Sequence, residues 1–321
     1  MTALLSINIP TYNRSGYLKA LIDSLADDAL ALGEQVEINI LDNCSPDDTE
    51  AMVRSLPAAL PIHYLRHERN LGGLANIHLA HRAGHGEYVW IIGDDDYLEP
   101  GQLRRIFDLL VPRPTVMLLS YSRVTPERKL VGDVSIGAVD RAFTKDSPDF
   151  SLAEVDSLIG FLSANIIRRS WIDKFPSAAY DDLDERGELA HASIFYAAIA
   201  AGETIQYVAG RPLAQTVDNG YLRHEIWTHV CVKYCMNLPG QLVTFGFEPA
   251  STHRFYSRRL LKECARRTLS EKYRRHSSDA VINEAMVRRG LGWRHATLVA
   301  LNLIPAPVVR FVNDTLRTSR Q

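Results

Sequence analysis

No stretch of this sequence approaches the ~18 uninterrupted apolar residues that a membrane-spanning helix needs, so a bundle of such helices is not expected. Cysteine is scarce: Cys44, Cys231, Cys235 and Cys264 are the four in 321 residues. They form no C-x-x-C pair and have no companion histidines at zinc spacing, which argues against a zinc module or a disulfide scaffold. Cys231 and Cys235 lie one helical turn apart, where packing is the expected role, and a reduced, cytosolic compartment fits best. An excess of basic residues is also missing. Lys and Arg number 36 against 38 Asp and Glu, a net charge of −2, so no nucleic-acid partner is expected. The first fifteen residues have neither a basic n-region nor a long apolar core, so no signal peptide is expected. Low-complexity tracts are absent. What remains is a globular composition, 46% hydrophobic and 23% charged, long enough for one large α/β domain with an appendage, or for two domains.

The pattern along the chain is strand, loop, helix, repeated. Leu4 to Ile9 is a short apolar run ended by Pro10, a buried strand leading into a loop. Ser15 is expected to cap a helix whose apolar positions Leu18, Leu21, Ile22 and Leu25 fall at helical spacing. Val36 to Leu41 predicts a second strand ending at Asp42 and Asn43. Ser45-Pro46-Asp47-Asp48 then reads as a helix start with proline at the first helical position. His63 to Leu65 predicts a third strand, 70–83 a helix opened by Gly72 and Gly73, and Tyr88 to Ile92 a fourth strand. Strands and helices alternating at this spacing mean βαβ units and a mostly parallel sheet, with strand ends gathered on one edge. Val116 to Ser122 predicts a further strand, followed by a polar loop and hairpin. Ser157 to Arg168, with Ser163 and Asn165, is expected to line a cleft, and 189–201 predicts a helix ended by Gly202. Beyond Asn219-Gly220 the pattern is helical to the end, with paired arginines at 258–259, 266–267 and 274–275. The expected division is 1–215 and 216–321.

Three consecutive carboxylates, Asp94, Asp95 and Asp96, follow the fourth strand after a single Gly93. Adjacent carboxylates repel one another, and oxygen-only donors suit a hard cation, Mg²⁺ or Mn²⁺, better than zinc. Such cations clamp phosphates, and open α/β sheets bind ligands at the carboxyl ends of their strands. A solvated acidic turn closed by Glu99-Pro100-Gly101 is the plain alternative.

Taken in order, the first hundred residues read PTYNR after one strand, DNCSPDD after the next, ERNLGG with Asn76, and GDDDYLEPG after a fourth. This series resembles the family 2 glycosyltransferases, over roughly the first 110 residues. The resemblance implies a GT-A (Rossmann-like) α/β fold, a mostly parallel sheet flanked by helices with a C-terminal helical region, and inverting transfer of a sugar from a nucleotide diphosphate donor. It implies that Pro10, Thr11, Tyr12 and Asn13, with Asp42 and Asn43, surround the nucleobase. Asn70, Gly72 and Asn76 would shape the donor pocket, and Asp94 would meet the ribose. Asp95, with Asp96 as a second ligand, would hold Mg²⁺ or Mn²⁺. Arg14, Arg66 or Arg69 is available to a phosphate, with plain surface charge as the alternative for the last two.

Two places depart from the family pattern. Gly93 stands where an aspartate often opens the acidic motif. The segment that usually supplies the general base reads Gly187-Glu188-Leu189-Ala190-His191, so the base position falls on Leu189. Glu188 and His191, three residues apart on one helical face, are the flanking candidates, with Asp182 next among the acids Asp181, Asp182 and Asp184. The GDDD form and the SAN segment at 163–165 look most like the bacterial abequosyltransferase-like subgroup of O-antigen synthesis. That likeness implies a saccharide or lipid-linked saccharide acceptor and a UDP-, dTDP-, GDP- or CDP-linked donor. The apolar stretch from Leu291 to Leu316, with Trp293, is expected either to rest on the inner face of a membrane or to pack within the protein or a homodimer. The rival expectations are an inactive sugar-nucleotide-binding or scaffold protein on the same fold, because of Leu189, and a nucleotidyltransferase. The nucleotidyltransferase would carry a glycine-rich basic loop after its first strand, which PTYNRSG is not.

Overall fold

The computed structural model describes residues 3–175, 190–217, 235 and 237–260. Packing divides the chain into two compact units, one of Met1–Asp182 with Ala190–Asn219, the other of Leu183–Leu189 with Gly220–Gln321. In the second unit, residues 237–244 and 249–260 are helical.

The first unit is built on a ten-stranded mixed sheet. The apolar run at the N-terminus forms β1 (Leu5–Thr11), and VEINILD forms β2 (Val36–Asp42), buried along its whole length. Then come β3 (Ile62–Arg66), β4 (Tyr88–Ile91), the short β5 (Tyr97–Leu98) and β6 (Val116–Val124). The remainder are β7 (Leu130–Val134), β8 (Arg141–Phe143), β9 (Asn165–Arg168) and β10 (Ile205–Thr216). The main path runs β3-β2-β1-β4-β9-β6-β10-β5. Strands β3, β2, β1, β4, β6 and β10 point one way, while β9 and β5 run against them. The α/β class is as the sequence implies, with its parallel half built from the first ninety residues.

Among the described residues seven helices accompany the sheet: α1 (Ser15–Leu32), α2 (Thr49–Arg54), α3 (Gly73–Arg82), α4 (Gln102–Leu110), α5 (Leu152–Ile159), α6 (Arg169–Ile172) and α7 (Ala190–Ala200). The helical spacing of Leu18, Leu21, Ile22, Leu25, Ala29 and Leu32 gives α1 one apolar face, and all six are buried. Helix α4 buries Leu103, Ile106, Phe107 and Leu110 in the same way.

Local readings needed correction at three points. Arg14, not Ser15, is the residue ahead of α1, and the Ser15 hydroxyl donates to Asp48. Helix α2 begins at Thr49 rather than at Pro46, because Asp47 turns back to accept from the Thr49 hydroxyl (2.6 Å) and the Ser15 amide (3.1 Å). Helix α3 starts at Gly73, since Asn70 folds into a turn whose side-chain oxygen accepts from the Gly72 amide at 2.8 Å.

Candidate active site

The chain order β1, β2, β3 steps outward across the sheet, and β4 then returns to the other side of β1. That reversal is a topological switch point, where the carboxyl ends of two parallel strands leave a crevice between their departing loops. Register determines what lines it. Thr11 is paired with Asp42 across β1 and β2, and Asn8 with Ile91 across β1 and β4. Three residues on from the second pair, Thr11 comes abreast of Asp94, and its hydroxyl donates to Asp94 Oδ2 at 2.7 Å. Asp42, Thr11 and Asp94 therefore lie in a row along one sheet edge.

Arg14, at the start of α1, reaches over this row. Its Nη1 lies 2.7 Å from Asp95 Oδ2 and 3.3 Å from Asp94 Oδ1. The triplet is thus divided by environment. Asp94 and Asp96 are buried, while Asp95 is partly open. Burial, reinforced by the neighbouring Asp95 charge, pushes Asp94 up to about 6 despite its bonds to Thr11 and Arg14. Burial and Asp95 likewise raise Asp96 well above the ordinary carboxylate range. Burial works against the Arg14 charge, but Asp94 and Asp95 outweigh it and hold its pKa above the usual value.

Asp96, expected beside Asp95 as a second metal ligand, has both oxygens engaged elsewhere. The Ser163 hydroxyl donates to Oδ2 at 2.6 Å and the Thr216 amide to Oδ1 at 3.3 Å. Ser163 also accepts from the Gly93 amide at 2.8 Å. Antiparallel register explains the pairing: Trp90 faces Ile166, so three residues further along Gly93 faces Ser163. Gly93 suits this crowding, since a Cβ there would lie 3.0 Å from both an Asp95 and an Asp96 oxygen. Ser163 was expected only as a cleft-lining residue, and its brace on the acidic turn follows from the β4–β9 pairing, which the sequence pattern had not suggested.

On the other side of β1, Asp42 is fully buried. It accepts from the Ser45 amide at 2.9 Å and from the Tyr64 hydroxyl at 2.5 Å, with Arg66 Nε 3.5 Å away. Burial and the Asp42 carboxylate push the Tyr64 phenol upward. Arg66 also donates to the Ser45 carbonyl at 3.0 Å, so it serves the base of this loop. Asn43 binds Asn70 Oδ1 (3.0 Å), the Gly72 carbonyl (3.2 Å) and the Leu71 amide (2.8 Å). Asn76 donates to the Leu41 carbonyl at 2.9 Å and meets His67 at the same distance. The loops at 10–13, 42–45 and 70–72 are therefore tied into one wall, from whose rim Tyr12 stands 42% exposed. Asn13, with φ +56°, holds its amide to the Ser45 hydroxyl at 2.9 Å. Of the phosphate candidates, only Arg14 meets the acidic turn; Arg69 is exposed.

Of the base candidates, Glu188 and Asp182 lie outside the described residues, as do Leu189, Asp181 and Asp184. His191 opens α7 close enough to His81 of α3 for their charges to oppose one another. Among the described residues no group of three or more His, Cys, Asp or Glu forms a ready-made metal cage. No helix among them is long and apolar enough to cross a membrane, and the stretch at 291–316 lies outside them.

A mixed sheet with a switch-point crevice and a strand-end acidic turn is the architecture of a GT-A glycosyltransferase. The sequence model described as glycosyl transferase family 2 matches residues 6–154, so this segment of the chain is similar to that family. It is 38% identical over 102 residues to abequosyltransferase RfbV of Salmonella typhimurium, an alignment covering 31% of this chain and 30% of that protein. It is 31% identical over 100 residues to the poly(ribitol-phosphate) beta-N-acetylglucosaminyltransferase TarS of Staphylococcus aureus, covering 31% of this chain and 17% of the relative. The matches thus span a third or less of these two curated relatives. The crystal structure of S. aureus TarS 1-349 in complex with UDP superposes with a TM-score of 0.62 and 18% identity, covering 98% of this chain and 91% of that one. At that identity the likeness is one of fold.

Proposed function

We propose that this protein transfers a sugar, with inversion, from a nucleotide diphosphate donor to a saccharide or lipid-linked saccharide acceptor in cell-surface polysaccharide synthesis. The observation that carries this reading is the row Asp42, Thr11, Asp94 along the switch-point edge, with Arg14 and Asp95 overhanging it. The donor is proposed to lie with its base against the 10–13 and 42–45 loops, over the exposed Tyr12, and its ribose toward Asp94. The buried Asp42 acts there by holding Tyr64 and the Ser45 loop in place. The structural relative carries UDP, and the donor here is proposed to be a UDP-, dTDP-, GDP- or CDP-linked sugar.

The donor set fits a hard divalent cation. Mg²⁺ and ions like it keep most of their waters and bind through one or two carboxylates plus substrate phosphates rather than in an all-protein cage. Asp95 is the carboxylate placed to serve, and Asp96 positions the turn through Ser163 and Thr216. Bound there, Mg²⁺ or Mn²⁺ supplies Lewis acidity against the charge that grows on the departing diphosphate. Arg14 adds a positive charge over the same crevice. An acceptor hydroxyl must lose its proton as it attacks the anomeric carbon, a task proposed for Glu188 or His191, with Asp182 next. Working on cytoplasmic nucleotide sugars, the protein would sit in the cytoplasm or on the inner face of the plasma membrane.

The replacement of the usual base by Leu189 favours one rival, a binding protein without turnover. Donor hydrolysis separates the two. The purified chain with Mn²⁺ is expected to release free nucleoside diphosphate from at least one nucleotide sugar, and Asp95→Asn is expected to abolish that release. Tight donor binding with no release at any pH would favour the rival.

A further inference from the structure

Arg14 and a divalent cation have use for the same carboxylate oxygens. The guanidinium sits 2.7 Å from Asp95 Oδ2 and 3.3 Å from Asp94 Oδ1, and its side chain is only 13% exposed. A charge so placed is weakly screened by salt or water, so a second positive centre on Asp95 is repelled at short range. A diphosphate changes the balance, because its oxygens offer a guanidinium a bidentate partner at least as good as a carboxylate. Nearby groups support such an exchange. Thr11 keeps hold of Asp94 through Oδ2, so Arg14 can leave without freeing that side chain. The ring of Tyr17 lies 5.6 Å from the guanidinium carbon, an aromatic face along which it can shift.

We propose that Arg14 is an exchangeable counter-ion: it competes with the divalent cation for Asp95 and hands that carboxylate over only when a nucleotide diphosphate arrives to pair with the guanidinium. Cation and nucleotide then bind cooperatively, and the cation alone binds weakly. This rests on the reading of Asp95 as the cation's carboxylate, and the test separates the two.

Mn²⁺ is titrated calorimetrically into the full chain, alone and with whichever of UDP, dTDP, GDP or CDP raises the melting temperature most. Arg14→Gln is expected to bind Mn²⁺ alone about tenfold or more tightly than the wild type, the scale of one partly screened charge interaction. It should also lose most of the enhancement that nucleotide gives the wild type. Mn²⁺ affinity unchanged or weaker in Arg14→Gln overturns the exchange. If in that case Asp95→Asn still loses Mn²⁺-dependent nucleotide binding, the cation assignment survives alone. If Asp95→Asn binds Mn²⁺ and nucleotide like the wild type, both fall. Should Arg14→Gln fail to fold, Arg14→Lys, which keeps the charge but not the reach, is expected to show intermediate affinity for Mn²⁺ alone. Equality of Arg14→Lys with the wild type would count against the exchange.

Discussion

At the residue scale, the acidic turn is held from behind by a side chain that carries no charge. Ser163 accepts from the Gly93 amide and donates to the buried Asp96. Ser163→Ala leaves both partners unmatched in a buried setting, which costs about 1–3 kcal/mol. Urea denaturation should show that loss, and cation-dependent nucleotide binding should weaken with it; a variant as stable as the wild type would deny Ser163 this bracing role. The general base is a question for single residues too. Glu188→Gln is expected to lower turnover by roughly 10²-fold or more with donor binding intact, the usual scale of a lost base. If the variant turns over normally, His191→Ala and then Asp182→Asn become the variants to measure. Part of this neighbourhood was legible residue by residue: Thr11, Arg14, Asp94 and Asp95, singled out by their motifs, lie together in the structure, while the roles given to them remain proposals. Asp96 and Asp42 were read as ligand-contacting from the resemblance of their motifs to the family. The protein partners they have in the structure, Ser163 and Thr216 for Asp96, Tyr64 and the Ser45 amide for Asp42, belong to other strands and loops, and pairing across strands is not written in local sequence.

At the element scale, what was legible follows the strength of the periodic signal. Strands β1 and β2 alternate apolar with polar residues, β4 is a continuous apolar run and α1 is a long amphipathic helix, so each appears within a residue or two of its expected bounds, apart from the C-terminal end of α1, for which none was given. Strand β10 gave no such signal. Gly210, Arg211 and Pro212 interrupt it, and its register with β6 shifts between Val208 and Leu213, so its two halves look like separate loops. Strand β9 is four residues long, too short for a period to show. Helix packing also carries a pH prediction. His81 of α3 is buried, and burial, then the neighbouring His191 and His78, lowers its pKa from 6.5 to about 3. The unfolded chain takes up a proton there below pH 6.5, whereas the folded chain does so only near pH 3. The stability this neutral histidine supports is complete above 6.5 and drains as pH falls toward 3. Between pH 7 and 5 the wild type should lose about 2 kcal/mol from this group, at about 1.4 kcal/mol per pH unit. Denaturation midpoints of His81→Gln should fall less over that interval. An identical fall in both proteins would place the acid sensitivity elsewhere.

At the scale of the whole molecule, the described residues that line the proposed donor crevice belong to the first compact unit, where β1 and β4 part. The net charge of −2 sets no strong field around the molecule, so capture of an anionic donor depends on local groups, Arg14 and a cation at Asp95. That is the central claim, and calorimetry of UDP, dTDP, GDP and CDP with and without Mn²⁺, on the wild type and Asp95→Asn, tests it most directly. At least one nucleoside diphosphate should bind in a Mn²⁺-dependent way, and Asp95→Asn should weaken that binding about tenfold or more, as loss of a metal contact does. If none of the four binds, or if binding ignores both Mn²⁺ and the loss of the Asp95 charge, the crevice between β1 and β4 is not a nucleotide–cation site.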